Sequence, residues 1–364
     1  MKMWPKRLPL KQGWNSALLY FLAIAFVATW WLFFFSGQVT PPLPTPPLRA
    51  KPVLESIVSR QELLQALKGD FALMGDLVLR WDREAQHRHL NRLPPDKVLR
   101  AHYLAKTISL TPNKTALKIL PQTYLAAGIL LTIATPTDLV ALPRGFREQT
   151  YLFDAAVTQQ IPLDVDHYTT EKLFLARPQI AFVSSHYTHP AALQALANQG
   201  VPIHASPNCE NVADVLREIE IAGRLIGREQ EGELLQLFIE AALLKLDQIP
   251  KETKNTLFLS YYDHFYLPLE SNITGALVVR AGLPLPKVQT FELKEKLIQW
   301  NPETLVIATP RSINLLPFLQ QDPGYSQLQA VRKGRVRFVD DEVMQTPTHS
   351  LVLAYYDLIE ALQP

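Results

Sequence analysis

The sequence predicts an α/β protein with two parallel-sheet lobes joined by one long backbone helix, preceded by an N-terminal transmembrane helix. Three observations predict this fold class. Short β-rich runs alternate with helical segments from residue 114 onward, which is typical of parallel sheets covered by helices. One helical pattern without proline runs through residues 208–248. A charge-free apolar segment occupies residues 17–36, long enough at about 1.5 Å per residue to cross a hydrocarbon core of about 30 Å.

The N-terminal region predicts a membrane anchor followed by a spacer. Residues 1–16 carry four basic residues and no acidic one, so we expect them to stay in the cytoplasm while the rest of the chain faces outward. The apolar segment at residues 17–36 is long and ends in Trp-Trp-Leu-Phe-Phe-Phe, which favours an uncleaved anchor. A cleaved signal peptide, which would leave a protein secreted to the periplasm, is the alternative. Closely spaced prolines make residues 37–52 an extended spacer.

Residues 53–112 predict a helical extension of the main body. Ser59 followed by Glu62 matches a capping box, and apolar residues then recur at helical spacing up to residue 90. Two prolines end this helix, and residues 97–106 predict a second one. We expect the apolar stripe to pack on the main body; a groove for a partner is the alternative.

The rest of the chain divides into two lobes and a connection. Residues 113–206 predict the first α/β lobe, 207–249 the connecting helix and 250–364 the second lobe. The predicted strands are residues 116–120, 139–142, 180–184, 201–204, 256–260, 304–308 and 336–339. Because a continuous helix resists bending, we expect little movement of one lobe against the other.

Composition and motifs exclude several classes of function. The formal charge is +2, and no long basic tract lies beyond the N-terminal region, so nucleic acid is not an expected partner. The single cysteine, Cys209, cannot form an internal disulfide or a site with several cysteine ligands. No Gly-rich phosphate loop, Gly-x-Ser-x-Gly or His-Glu-x-x-His sequence occurs, so we expect neither catalysis nor a cofactor.

An internal repeat links the two predicted lobes. Glu171-Lys172-Leu173 stands seven residues before Pro178 and leads into the strand Ile-Ala-Phe-Val. Glu295-Lys296-Leu297 stands seven residues before Pro302 and leads into Leu-Val-Ile. Each lobe thus carries a glutamate on a short helix that precedes a buried strand.

Together with the Gly-Val-Pro at residues 200–202 and the Val-Arg-Lys-Gly-Arg-Val at residues 331–336, these features resemble the helical-backbone class of periplasmic solute-binding proteins. That class serves ABC importers for ferric siderophores, haem, cobalamin and some metal ions. The resemblance covers about residues 114–362. It implies that Glu171 and Glu295 meet arginines of the permease dimer. The family has Pro-Asp where this chain has Pro178-Gln179 and Pro302-Glu303, and its usual lipid-attachment cysteine is missing here.

Polar and aromatic side chains follow the predicted strands, where ligands of open parallel sheets bind. We expect the ligand-binding residues to be Gln122, Thr123, Tyr124, Arg144, His186, Tyr187, Tyr261, Tyr262, His264, Arg311 and Asp341. Arginines at such places, among them Arg147, suit carboxylates and anionic chelates, and tyrosines add flat apolar area. These side chains favour a bulky, partly anionic and partly aromatic ligand such as a ferric chelate, and the family resemblance implies an iron chelate, haem or cobalamin.

Two alternatives to this function remain open. The imidazole and carboxylate groups that bind zinc or manganese occur at His186, His189, His264 and Asp341, which would make the chain a metal-ion-binding protein of the same fold. A membrane-anchored structural or regulatory protein that has lost its ligand is the other alternative, favoured by the anchor and the extension.

Overall fold

A computed structural model of the chain describes residues 53–110, 116–148, 152–165, 177–186, 190–346 and 348–363. These residues belong to one compact unit, Lys51–Pro364. The predicted cytoplasmic segment, anchor and spacer lie outside the described residues, as does Glu171. No helix of the described residues is both long and apolar enough to cross a membrane.

The first lobe contains a parallel sheet. Its strands β1, β4 and β5 pair in that order, and a single bridge from Ile119 to Leu139 connects β1 to the parallel pair β2 and β3. The elements of this lobe are β1 Ile119–Pro121, α5 Tyr124–Ile133, β2 Ala141–Pro143, α6 Ala155–Thr158, β3 Leu163–Val165, β4 Ile180–Ser184, α7 Pro190–Asn198 and β5 Ile203–Ser206.

The second lobe has a four-stranded sheet of order β7-β6-β8-β9, in which only β7 is antiparallel to its neighbour. The central strands β6 and β8 are buried almost throughout, as their apolar runs predict. Its elements are β6 Thr256–Tyr261, β7 Phe265–Tyr266, α10 Ile273–Arg280, α11 Leu293–Trp300, β8 Thr304–Thr309, α12 Leu316–Gln321, α13 Gln329–Arg332, β9 Val336–Asp340, α14 Asp341–Gln345 and α15 Leu351–Ala361.

The predicted single connecting helix is wrong in one respect, because the structure divides it into two helices. These are α8 Val212–Leu225 and α9 Glu229–Asp247. Gly227 ends the first helix with φ of +66°, a backbone conformation that glycine adopts without strain. The two helices then run antiparallel: Gln236 Nε2 donates to the Leu216 carbonyl at 2.7 Å, so α9 alone leads into the second lobe.

The N-terminal extension contains α1 Val53–Ile57, α2 Arg60–Leu67, α3 Phe71–Arg88 and α4 Pro95–Leu110. The first predicted helix is broken at Gly69, where φ is +99° and an added Cβ would lie 2.7 Å from the Thr132 carbonyl oxygen. Packing of its apolar stripe on the main body is confirmed, since Leu63, Leu67 and Trp81 are all buried.

The extension contacts both lobes and the connecting helix. Trp81 stacks on Phe238 of α9 with ring centroids 5.9 Å apart. Arg60 donates two hydrogen bonds, of 2.7 and 2.9 Å, to the Asp357 carboxylate of α15. One buried apolar cluster accordingly includes residues of the extension, the connecting helices and both lobes.

Candidate functional site

A cleft of about 410 Å³ lies between the two lobes. The first lobe contributes residues that follow β1, β4 and β5, and the second contributes the start of α10 and the end of α14. The lining consists of Thr123, Tyr124, Leu125, Ser184, Ser206, Pro207, Asn208, Cys209, Ser271, Asn272, Ile273, Thr274 and Gln345. The cleft therefore opens at the carboxyl ends of parallel strands, where α/β folds bind ligands.

The N-terminus of α5 forms one part of the first-lobe wall. Thr123 caps this helix, its Oγ1 accepting a hydrogen bond from the Ala126 N–H at 3.1 Å. Tyr124 is held in place by its neighbours, since its hydroxyl donates to the Arg144 carbonyl at 2.8 Å and its ring stacks on Phe146. Burial raises the pKa of the Tyr124 hydroxyl, so it stays protonated at neutral pH, and its single hydrogen is used on the Arg144 carbonyl.

Strand ends form the rest of the first-lobe wall. Ser184 and Ser206 are the paired last residues of β4 and β5, and Ser206 is 5% exposed. The Gln122 side chain is buried behind them, with Oε1 accepting from the Ser184 N–H at 3.0 Å. Cys209 is buried, and burial raises the pKa of its thiol to about 12, so the thiol is neutral and weakly nucleophilic.

The second-lobe wall starts at the N-terminus of α10. Asn272 caps this helix, with Oδ1 accepting from the Gly275 N–H at 2.8 Å. Gln345 on the facing side is fixed by two hydrogen bonds that its Nε2 donates, both of 2.6 Å, to Asp341 Oδ1 and to the Tyr266 hydroxyl. Burial raises the pKa of the Asp341 carboxyl group.

The structure brings together only part of the predicted ligand-binding set. Thr123 and Tyr124 line the cleft, while Gln122 and Asp341 lie behind lining residues and hold them. Six further predicted residues do not line this cleft: Arg144, His186, Tyr261, Tyr262, His264 and Arg311. Tyr187 lies outside the described residues.

Local contacts account for several of these placements. Arg311 forms an ion pair with Asp340, and His264 pairs with the neighbouring Asp263. Tyr261 packs on Phe265 in the core of the second lobe, with centroids 5.0 Å apart.

Arg147 is likewise bound within its own lobe. Its guanidinium donates to Asp164 at 2.7 Å and to the Ile161 carbonyl at 2.8 Å.

Sequence reasoning missed most of the small polar residues in the lining. Ser184 and Ser206 are each the last residue of a strand, one or more positions before the loop residues that were expected to bind. Asn272 precedes the helix Ile-Thr-Gly-Ala-Leu, a signal for an N-cap that could have been found.

The lining contains no charged side chain among the described residues. It offers hydroxyl and amide groups and the N-termini of two helices, which suits a polar ligand held by hydrogen bonds. No group of three histidine, cysteine, aspartate or glutamate side chains comes together in the described part of the chain, so that part holds no ready site for a bare zinc or manganese ion.

No family model matches the chain. It is 29% identical, over 167 residues, to the Fe(3+) dicitrate-binding periplasmic protein FecB of Escherichia coli (strain K12). The match covers 44% of this chain and 55% of FecB, so it spans about half of that relative's length.

Solved structures cover more of the chain. A possible iron-binding (periplasmic solute-binding) protein from Staphylococcus epidermidis superimposes with a TM-score of 0.57 at 16% identity, over 69% of this chain and 100% of that one. The periplasmic heme-binding protein HutB of Vibrio cholerae gives 0.54 at 15% identity, over 68% and 99%. FhuD2 of Staphylococcus aureus gives 0.53 at 17% identity, over 68% and 98%.

This is the fold of the periplasmic solute-binding proteins. The family resemblance inferred from the sequence is confirmed at the level of the fold. The matched 69% of this chain covers the Staphylococcus epidermidis structure completely. About a third of this chain therefore has no counterpart in that structure.

Of the two glutamates predicted to dock on a permease, one can be placed on this solute-binding fold. Glu295 lies exposed on α11 and forms no ion pair with any residue that the structure describes. The neighbouring Lys294, in contrast, forms an ion pair with Asp322 at 2.7 Å.

Proposed function

We propose that this protein is an extracytoplasmic solute-binding protein that captures a small iron complex between its lobes and delivers it to the permease dimer of an ABC importer. The observation that carries the proposal is the cleft between the lobes, which is lined by hydroxyl and amide side chains at the strand ends of the first lobe and on the helices of the second. The names of FecB, HutB and the Staphylococcus epidermidis protein support a ferric chelate or haem as the class of ligand.

The same proposal assigns a role in binding and not in catalysis. No nucleophile with an adjacent base lines the cleft among the described residues, and its cysteine thiol is neutral. Glu171 and Glu295 are proposed as the contacts to the two permease subunits. Residues 17–36 are proposed to keep the chain in the inner membrane as a single-pass anchor, with the bulk outside the cytoplasm.

A ligand screen of the purified full chain tests the binding function. Thermal unfolding and tryptophan fluorescence would be recorded with ferric citrate, a ferric trihydroxamate, haem, cobalamin, zinc and manganese. A ligand that binds the folded state alone raises the melting temperature, by an amount that grows with its concentration. We expect an iron complex to do so. No shift with any of these would refute capture of this ligand class and favour a structural or regulatory membrane protein.

N-terminal sequencing of the protein isolated from cell membranes tests the anchor. The proposal expects the mature chain to retain residues 17–36. A mature N-terminus beyond residue 36 would mean that the segment is a cleaved signal peptide.

A further inference from the structure

One face of helix α4 exposes apolar side chains on the surface of the extension. Leu99, Tyr103 and Leu110 are 68%, 58% and 84% exposed. Their spacings of four and seven residues place them on the same side of the helix. The opposite side packs into the core through Val98 and Leu104. Helix α4 is therefore apolar on two faces, of which the described residues cover only one, and such a cluster of exposed apolar side chains indicates an interaction surface.

Basic side chains border this exposed face. Lys106 lies on it, three positions after Tyr103, and forms no ion pair with any residue that the structure describes. Arg100 stands beside it, with its guanidinium 5.8 Å from the Tyr103 ring centre, and is paired with Glu233. The only carboxylate on α4 is Asp96, in the first turn. An apolar stripe with a basic border is typical of helices that lie on an anionic lipid bilayer.

The extension follows the proposed membrane anchor closely in the chain. The proline-rich residues 37–52 separate the apolar residues 17–36 from the extension, which begins at Val53. An extended proline-rich chain rises about 3.1 Å per residue, so this spacer keeps the start of the extension within about 50 Å of the bilayer. A tethered surface needs only a weak attraction to bind, because the tether replaces the search through solution. The bilayer is therefore the partner that this face meets at the highest effective concentration.

We propose that the exposed face of α4 binds the bilayer that holds the anchor, with Leu99, Tyr103 and Leu110 in the interfacial region and Lys106 at anionic headgroups. The inference rests on the proposed anchor and adds a second membrane contact to it. Tyrosine suits this position, because membrane–water interfaces favour an apolar ring with a polar tip. Leu99 and Leu110 lie about 16 Å apart along the helix axis, so α4 lies parallel to the bilayer.

This contact has a consequence for the main body of the protein. The extension is packed on the connecting helix and on both lobes, as Trp81 on Phe238 and Arg60 on Asp357 show. Binding of α4 to the bilayer therefore fixes the orientation of the whole folded part relative to the membrane. A flexible spacer alone would leave that orientation free.

Lipid quenching of a fluorescent label on the full-length protein tests the contact. The substitution Leu99→Cys would carry an environment-sensitive label. Leu269→Cys in the second lobe is the matched control, because Leu269 is a leucine of nearly equal exposure, 66%. The native Cys209 is buried and its thiol is neutral, so it reacts slowly. The labelled proteins would be reconstituted in vesicles of phosphatidylcholine and phosphatidylglycerol whose acyl chains carry bromine.

We expect the label at residue 99 to be quenched severalfold more strongly than the label at residue 269. Tyr103→Ser should reduce that difference in all vesicles, because it removes apolar area. Lys106→Glu should reduce it in the anionic vesicles and not in vesicles of phosphatidylcholine alone. Melting temperatures of the variants report whether the fold is intact.

Two results would overturn the inference. One is equal quenching at residues 99 and 269. The other is protection of the residue-99 label from aqueous iodide without quenching by the brominated lipid, which would mean that a second copy of the chain covers the face.

An alkaline wash of the vesicles after the measurement separates this inference from the proposed anchor. Protein that stays with the vesicles has its anchor inserted, so equal quenching then counts against the α4 face alone. Protein that is released has no inserted anchor; strong quenching at residue 99 before the wash would then show that the face binds the bilayer without it, and equal quenching would overturn both. Capture of a ligand is tested separately by the screen described above.

Discussion

At the scale of single residues, His349 combines complete burial with a titratable ring. It lies where the extension and the two lobes meet, with Nε2 at 2.8 Å from Thr132 Oγ1 of the first lobe and 3.1 Å from the Leu67 carbonyl of the extension. Burial lowers its pKa to about 4. In the unfolded chain a histidine titrates near pH 6.5.

Stability should therefore fall on acidification. Between about pH 6.5 and pH 4 the unfolded chain binds a proton that the folded chain does not, so the free energy of unfolding decreases as the pH falls through this window. A pKa difference of this size corresponds to about 3 kcal/mol at the acidic end. Urea unfolding at several pH values from 7.5 to 4 would measure it.

The substitution His349→Gln isolates this residue. It should reduce the acid dependence of stability by about that amount, whereas the same change at His87, which is exposed on α3, serves as the control and should change it little. Equal acid dependence in wild type and His349→Gln would show that other groups cause it.

Arg311 shows why the residues of the cleft could be predicted only in part. An arginine after a strand has the chemistry of an anion-binding residue, and the sequence shows no more than that. In the structure the Arg311 guanidinium forms an ion pair with Asp340, which ends the neighbouring strand β9. Strand adjacency determines this pairing, and the order of strands in a sheet is not visible in the local sequence. Thr123 was predictable because the change from a strand to a helix that it separates is visible in the local sequence.

At the scale of secondary-structure elements, all seven predicted strands occur, with ends shifted by up to three residues, whereas β3 and β7 were not predicted and two predicted long helices are each broken. Strand β4 has the predicted bounds. The break at Gly227 was not predicted, because a glycine inside a helix costs only about 1 kcal/mol and the helical pattern of the sequence continues past it. In the structure the break lets α8 and α9 pack closely, and an added Cβ on Gly232 would lie 3.5 Å from the Gly223 Cα.

The extension offers a test of how far its helices contribute to the stability of the fold. Trp81 on α3 is 4% exposed and stacks on Phe238 of the connecting helix. We expect Trp81→Ala to lower the free energy of unfolding by about 3 to 5 kcal/mol, because it leaves a large cavity. Denaturant unfolding would measure the loss.

A neighbouring helix provides the matched control for Trp81. Leu99 on α4 is 68% exposed, so Leu99→Ala should change stability by no more than about 0.5 kcal/mol. If Trp81→Ala were equally harmless, the extension would be an appendage that does not support the main body.

At the scale of the whole molecule, the proposed delivery to a permease assigns one docking glutamate to each lobe. We expect Glu171→Ala and Glu295→Ala to abolish uptake in cells while the affinity for ligand stays near wild type, since carboxylates that face a partner's arginines act on association. The control is Glu220→Ala, an exposed carboxylate on α8. A large loss of ligand affinity in either docking variant would place that residue in ligand binding instead.

We expect only a small movement of one lobe against the other when ligand binds, because the extension contacts both lobes. The connection is not one continuous helix, but the extension crosses both lobes: Leu67 contacts Thr132 and His349, and Arg60 contacts Asp357. Closure of the cleft by a large rotation would break these buried contacts. Scattering profiles with and without saturating ferric citrate should nearly superimpose, and a compaction of several ångströms in the radius of gyration would contradict this.

The ion pair between Arg60 and Asp357 joins residues 297 positions apart, which has a consequence for the order of folding. The ribosome makes α1 and α2 long before α15, so these two helices wait for α15, whereas α3 can pack on Phe238 of α9 earlier. Contacts of such long sequence separation slow folding, because the entropy of closing a long loop is lost before the contacts form. Nascent chains halted before residue 351 should therefore remain sensitive to protease within residues 53–67, and resistance there should appear only once α15 has been added.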